Sequence, residues 1–143
     1  MKKTSLLLMT ALSMATLVGA QNLSENKVPT NVKSAFHQHF PKAKGVKWEN
    51  EKGNYEANFE LSTTKQSALF KPSGEMLESE ISISKAALPK PALAFVSKNY
   101  PKQKIKEAAQ ITHATGEITY EAEVNGKDLI FDANGNFLKE VND

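Results

Sequence analysis

The chain has 143 residues, 40% hydrophobic and 24% charged, with no cysteine, one tryptophan and a formal charge of +2 at pH 7. These values fit an ordinary globular chain of one domain and exclude a collagen-like, disulfide-dense or multi-pass membrane protein. All 18 basic residues are lysine, and without the planar guanidinium fork there is no bidentate reader of phosphate or carboxylate.

Residues 1–20 have the layout of a secretory signal. Met1-Lys2-Lys3 is a short positive region, Leu6 to Val18 is apolar, and Val18-Gly19-Ala20 supplies small side chains for cleavage after Ala20. The apolar run is interrupted by Thr10, Ser13 and Thr16 and is too short to cross ~30 Å of hydrocarbon as an anchor. No cysteine follows it, so there is no thiol to acylate. Loss of Lys2 and Lys3 leaves 16 basic against 16 acidic residues, and a neutral chain has no overall attraction for nucleic acid or anionic lipid. The expected location is periplasmic or secreted, with no stable membrane anchor.

The remainder, 21–143, reads as a single domain written twice, over 27–83 and 87–142. Val28-Pro29 returns as Leu88-Pro89, and Phe40-Pro41-Lys42 as Tyr100-Pro101-Lys102. Tyr55-Glu56-Ala57 returns as Tyr120-Glu121-Ala122, and the Phe70 to Gly74 turn as Phe131 to Gly135. Landmarks repeated in the same order mark an internal duplication.

Each copy opens with a helix. Val28, Val32, Ala35, Phe36 and Phe40 form one apolar stripe on a 3.6-residue period, and Leu88, Ala92, Phe95, Val96 and Tyr100 repeat it. Pro29, Pro89 and Pro91 suit a helix start; Pro41 and Pro101 end both helices by pushing the preceding residue out of helical space. The period then changes to two. Tyr55, Ala57, Phe59 and Leu61 alternate with Glu56, Asn58 and Glu60; Ile118, Tyr120, Ala122 and Val124 alternate with Thr119, Glu121 and Glu123. Such alternation marks antiparallel strands with one apolar and one wet face. Shorter strands fit 44–50, 66–71, 75–83, 104–112, 127–131 and 136–141, joined by turns at Gly53-Asn54, Ser73-Gly74, Asn125-Gly126 and Asn134-Gly135. The expected class is α+β: helix plus about four antiparallel strands, twice, with both helices on one face of a continuous sheet.

Candidate chemistry is sparse. His37 and His39 sit at i and i+2 on a helix and point apart, so they cannot share a metal; His113 falls in a loop or strand end of the other copy. Asp132-Ala133-Asn134-Gly135 opens like a calcium loop, but its glycine comes at the fourth position and not the sixth, and a tight turn explains it. No nucleophile elbow, phosphate loop or zinc-protease motif is present in the sequence. Lys42 and Lys44, and Lys102, Lys104 and Lys106, are expected to blunt exposed strand edges. That leaves the polar strand face. Glu56, Asn58, Glu60, Thr119, Glu121 and Glu123 are expected to line an open, solvated surface opposite the helices. No catalytic, cofactor-binding or metal-binding residue is assigned.

The leader, the paired helices ending in Phe40-Pro41 and Tyr100-Pro101, the Tyr-Glu-Ala strands and the Phe70 and Phe131 turns together resemble the PepSY-like, β-lactamase-inhibitor-like family across residues 28–141. The resemblance implies two helices on one face of a curved antiparallel sheet, an envelope or secreted location, and a non-catalytic binding or inhibitory role. No specific inhibitory loop is matched. The expected function is recognition of an envelope protein or peptide through the open sheet face. The alternatives are a small-ligand or cation-binding envelope protein and, last, a hydrolase.

Overall fold

The computed structural model describes residues 21–142; the leader expected at 1–20 lies outside the described residues. One nine-stranded antiparallel sheet runs β1 to β9 with every strand beside its chain neighbour. The strands are β1 (Gln21–Leu23), β2 (Lys44–Glu51), β3 (Asn54–Leu61), β4 (Thr64–Phe70), β5 (Met76–Ile83), β6 (Ile105–His113), β7 (Ile118–Val124), β8 (Lys127–Asp132) and β9 (Phe137–Asn142). Helix α1 (Thr30–His39) lies between β1 and β2, and α2 (Lys90–Asn99) between β5 and β6. The class is α+β. Strand β1 was not anticipated: three residues, two of them polar, carry no readable period, and β1 exists by pairing Leu23 with Trp48 on β2.

Neither helix has a side-chain N-cap; Pro29 and Pro89 occupy that position, and the Phe40 and Tyr100 N–H groups close the last turns onto Phe36 and Val96. Ten-residue helices are marginal in water alone, so packing of the apolar stripe must hold them. Phe36 is fully buried by α1, with ring centroids 5.4 Å from Trp48, 5.1 Å from Phe59 and 6.3 Å from Phe70. These edge-to-face aromatic pairs each contribute ~0.5–1.5 kcal/mol beyond area burial. Under α2 the core is mostly aliphatic: Ala92, Val96, Val124 and Leu129, closed by Phe131. The two apolar clusters share no residue. The register puts both on the same side of the sheet: Ala57 faces Ala68, and Gln66, Ile81, Gln110, Tyr120 and Phe131 form one continuous row.

The β4–β5 and β8–β9 turns press against the helix starts. Asn31 Nδ2 donates to the Pro72 carbonyl at 2.8 Å, and a Cβ on Gly135 would lie 2.7 Å from Pro89 Cβ. Gly135 is also at φ +85°, so this position requires glycine on two counts. Asp132 closes the same turn, its Oδ1 accepting from the Asn134 and Asn136 N–H groups at 2.9 Å and its Oδ2 from Asn136 Nδ2 at 2.9 Å. Those bonds hold its carboxyl below the ordinary range; the carboxylate is spent on the turn.

Irregularities recur at matching places. The ladder slips between Lys44 and Lys47 on β2 and between Ile105 and Glu107 on β6, then between Leu69 and Phe70 and between Ile130 and Phe131. Each slip inserts an extra residue, which bends the strand and increases its twist. One turn was silent in the sequence: Ser62 and Thr63 join β3 to β4 at φ +50° and +65°, with no glycine.

The lysine expectation needs correction. The sheet edges are β1 and β9, and β6 is central. Lys102, Lys104 and Lys106 therefore do not blunt an edge; Lys106 instead reaches Glu123 at 3.0 Å. Lys44 does lie on a stretch of β2 that three-residue β1 leaves uncovered.

Candidate functional site

The register places all six sequence-predicted residues on the face opposite the helices. Glu49, Glu56, Leu69, Glu78 and His113 form one row across β2–β6; Lys47, Asn58, Ser67, Glu80, Ile111 and Thr119 form the next across β2–β7. Glu121 pairs with Ala109, and Glu123 with Glu107. The expectation of a wholly open, solvated surface is corrected, however. Glu60 is exposed and Asn58 half-buried, but Glu56, Thr119, Glu121 and Glu123 are all at most 5% exposed. Alternation reveals which face a side chain takes and carries no information on whether that face curls inward.

Curling shows in which strands share a cleft. Exposed Glu107 on β6 lines a cleft of about 360 Å³ with Lys47, Asn58, Glu60 and Lys65 of β2–β4. The centre of the face is an apolar floor, Leu69, Ile111 and Ile130, studded with carboxylates. A carboxylate shielded from water among other carboxylates holds its proton more tightly. Burial first, then Glu51, Glu49 and Glu78, raise the Glu56 carboxyl to about 8, against a lowering by the Asn58 side chain. Burial, then Glu56, Glu78, Asp128 and Glu107, raise Glu80 well above the usual range. Burial and Glu78 likewise raise Glu51.

Sequence reasoning missed Glu78, Glu80 and His113 as members of this centre. His113 ends β6 and is buried; its Nδ1 lies 3.3 Å from Glu78 Oε2 and its Nε2 2.9 Å from Thr119 Oγ1, tying β5 to β7. The alternation of Glu78, Glu80 and Ser82 with Ser79 and Ile81 was readable, but it marked polarity on one side of a strand that is half polar on both. His37 and His39 are exposed on α1 and well away from this centre in the fold, on the other side of the sheet. Among the described residues no group of three or more His, Asp or Glu side chains is arranged to hold a metal ion, and no helix is long and apolar enough to cross a membrane.

The chain is thus an antiparallel meander with both helices on one side and a polar face on the other. The chain belongs to the PepSY-like family, described as "Putative beta-lactamase-inhibitor-like, PepSY-like", whose sequence model matches it twice, over residues 16–77 and 60–139. No curated protein matches it by sequence. Among solved structures it is similar to one from Bacteroides eggerthii described as a "putative periplasmic" protein, at 16% identity and TM-score 0.73, covering 80% of this chain and 88% of that one. It is also similar to a DUF2874 family protein of Bacteroides ovatus at 25% identity and TM-score 0.69, covering 80% and 86%. A BLIP-like protein of Bacteroides fragilis is similar at 21% identity and TM-score 0.60, covering 79% and 84%.

Proposed function

We infer that the protein is a periplasmic or secreted, non-catalytic binding module that recognises a protein or peptide through the sheet face opposite its helices. The observation that carries this reading is the placement of both helices on one side, which leaves the other side of a nine-stranded sheet to present Lys47, Asn58, Glu60 and Lys65 around a shallow cleft. The inhibitor-like description of its family supports a protein partner, and the periplasmic description of its structural neighbour supports the location. In this reading residues 1–20 are a signal cleaved after Ala20, and 21–143 form one domain of two related units, 27–83 and 87–142.

The test uses the chain from residue 21 onward, tethered by its C terminus and exposed to envelope extract of its host. The control bait carries Glu60→Lys and Lys65→Glu, two exposed rim positions whose reversal leaves the core intact. A defined partner retained by the native bait and lost by the control supports the reading. Equal retention by both baits, or none, overturns recognition through this face. A small-ligand or cation-binding role is the second reading, favoured by the buried carboxylates, and it predicts a ligand-dependent rise in melting temperature by mass action on the folded state.

A further inference from the structure

The centre of the acidic face contains polar atoms with no use inside the fold. Glu80, on the middle strand of the sheet, is 2% exposed, and neither of its carboxylate oxygens has a hydrogen-bond partner. Its cross-strand neighbour Ser67 is fully buried with its hydroxyl unpartnered, and Glu78 leaves Oε1 unpartnered while Oε2 faces His113. Buried polar atoms are almost always hydrogen-bonded, and each exception calls for an explanation. A buried, unpaired carboxylate carries a large desolvation penalty and is retained only where something offsets it.

Three features define what would offset it. The unpartnered atoms are carboxyl oxygens and a hydroxyl; once ionised the carboxyls are acceptors, and the group that would ionise them and use them is a cationic donor. Among the described residues no three acidic or histidine side chains are arranged around a metal ion, so a molecular cation is the better fit. The walls beside Glu80 and Glu78 are the hydrocarbon side chains Ile111 and Leu69, their direct cross-strand partners, which suits a charge carried on an aliphatic stem. A lysine side chain has that form: a compact ammonium with three donors on a flexible four-carbon stem.

We propose that the acidic centre formed by Glu80, Glu78, Glu56 and Ser67 is a socket for a lysine side chain presented by the protein partner. This rests on the reading above, that the face opposite the helices recognises a protein; it adds the chemistry of the anchoring contact. The ammonium donates hydrogen bonds to Glu80 and Glu78, its methylenes lie on Leu69 and Ile111, and the exposed rim around the cleft seats the flanking chain. The ordinary carboxylate range is restored when the cation enters, so binding releases protons held by Glu56 and Glu80.

The probe is the peptide acetyl-Ala-Ala-Lys-Ala-Ala-amide, titrated against the chain from residue 21 with side-chain carboxyl NMR shifts and melting temperature as readouts. Comparison probes are the same peptide with norleucine for lysine, and free n-butylamine. The variants are Glu80→Gln, which keeps the shape and removes the charge, and Glu117→Gln on an exposed turn as control. The expected result is saturable movement of the Glu80 and Glu78 carboxyl signals by the lysine peptide, affinity at least tenfold weaker in Glu80→Gln, no change in Glu117→Gln, and no response to the norleucine peptide. An equal response to norleucine, or in Glu80→Gln, overturns the proposal; so does butylamine binding as tightly as the peptide, which assigns the socket to free amines. The absence of any response also overturns it. The broader reading is judged separately: a partner captured by the native chain, retained by Glu80→Gln and lost with the reversed rim charges, leaves recognition by this face standing without the socket.

Discussion

The two faces of one sheet are built by opposite rules. Under the helices, apolar side chains meet apolar side chains, and Val32, Phe36, Ala57, Ala68 and Phe70 are essentially without exposure. On the other face the burial is just as deep, yet Glu56, Glu80 and Asp128 sit at 1–2% exposure among Leu69, Ile111 and Ile130. The first face lowers the free energy of the fold. The buried carboxylates of the second raise it, as natural sequences tolerate where a site needs such groups, and this is the face proposed above for binding.

The comparison is broken most severely from the helix side. Phe36→Ala should remove the hub of the aromatic cluster and cost about 3–5 kcal/mol, read as a lower urea midpoint with unchanged slope. A loss under about 1 kcal/mol would mean that α1 is not held by this stripe. On the acidic face the sign reverses. Glu56 is raised from 4.5 to about 8 in the folded chain. Its folded value exceeds its unfolded value, so its protonated form stabilises the fold, fully below pH 4.5, and that contribution is lost as pH rises through about 8. Unfolding free energy should therefore fall over this window by on the order of a few kcal/mol. Glu56→Gln should flatten the decline and raise stability at its alkaline end, and a wild-type curve flat between these limits would contradict the burial of Glu56. Asp132 and Glu140, held low by their turn and by Lys127 and Tyr100, act with the opposite sign and only as pH falls through the acid range.

Smaller effects sharpen the same contrast. Gly135→Ala meets both positive φ and Pro89 Cβ at 2.7 Å, whereas Gly53→Ala meets only φ +87° in open space. The first should cost roughly 2–3 kcal/mol and the second about 1 kcal/mol by thermal unfolding; equal costs would show that the turn does not press on α2. Least of all, Lys71→Ala, breaking an exposed 2.8 Å bridge to Glu75, should change stability by under about 0.5 kcal/mol.

What could be read from the residues followed from period. Five apolar positions on each helical stripe and the alternation of Tyr55 to Leu61 were enough to place α1, α2, β3 and β7, because each local pattern suits only one buried face. Pro41, Pro101 and the Asn-Gly pairs punctuated them. Gln21–Leu23 was invisible because β1 is defined by its partner and not by its own residues. The Ser62-Thr63 turn was invisible because strand pairing on either side imposes a backbone that neither residue favours. The candidate site was half legible for a third reason: parity put Glu56, Glu121 and Glu123 on the face opposite the helices, but their burial depends on neighbours distant in sequence. His113 joined the centre only through contacts with Glu78 and Thr119, which lie 35 positions before it and six after it.

One consequence of the nearest-neighbour strand order concerns time. The residues of the first apolar cluster run from Leu23 to Met76, and those of the second from Ile83 to Phe131. Neither cluster borrows from the other, and no strand waits for a partner further along than the next. A chain emerging amino terminus first can finish one hydrophobic nucleus before the other has appeared, then add strands in order of arrival. The acidic centre is the exception. It draws on β2 through β8, so its full set of carboxylates, from Glu49 to Asp128, is complete only once strands of both halves have paired.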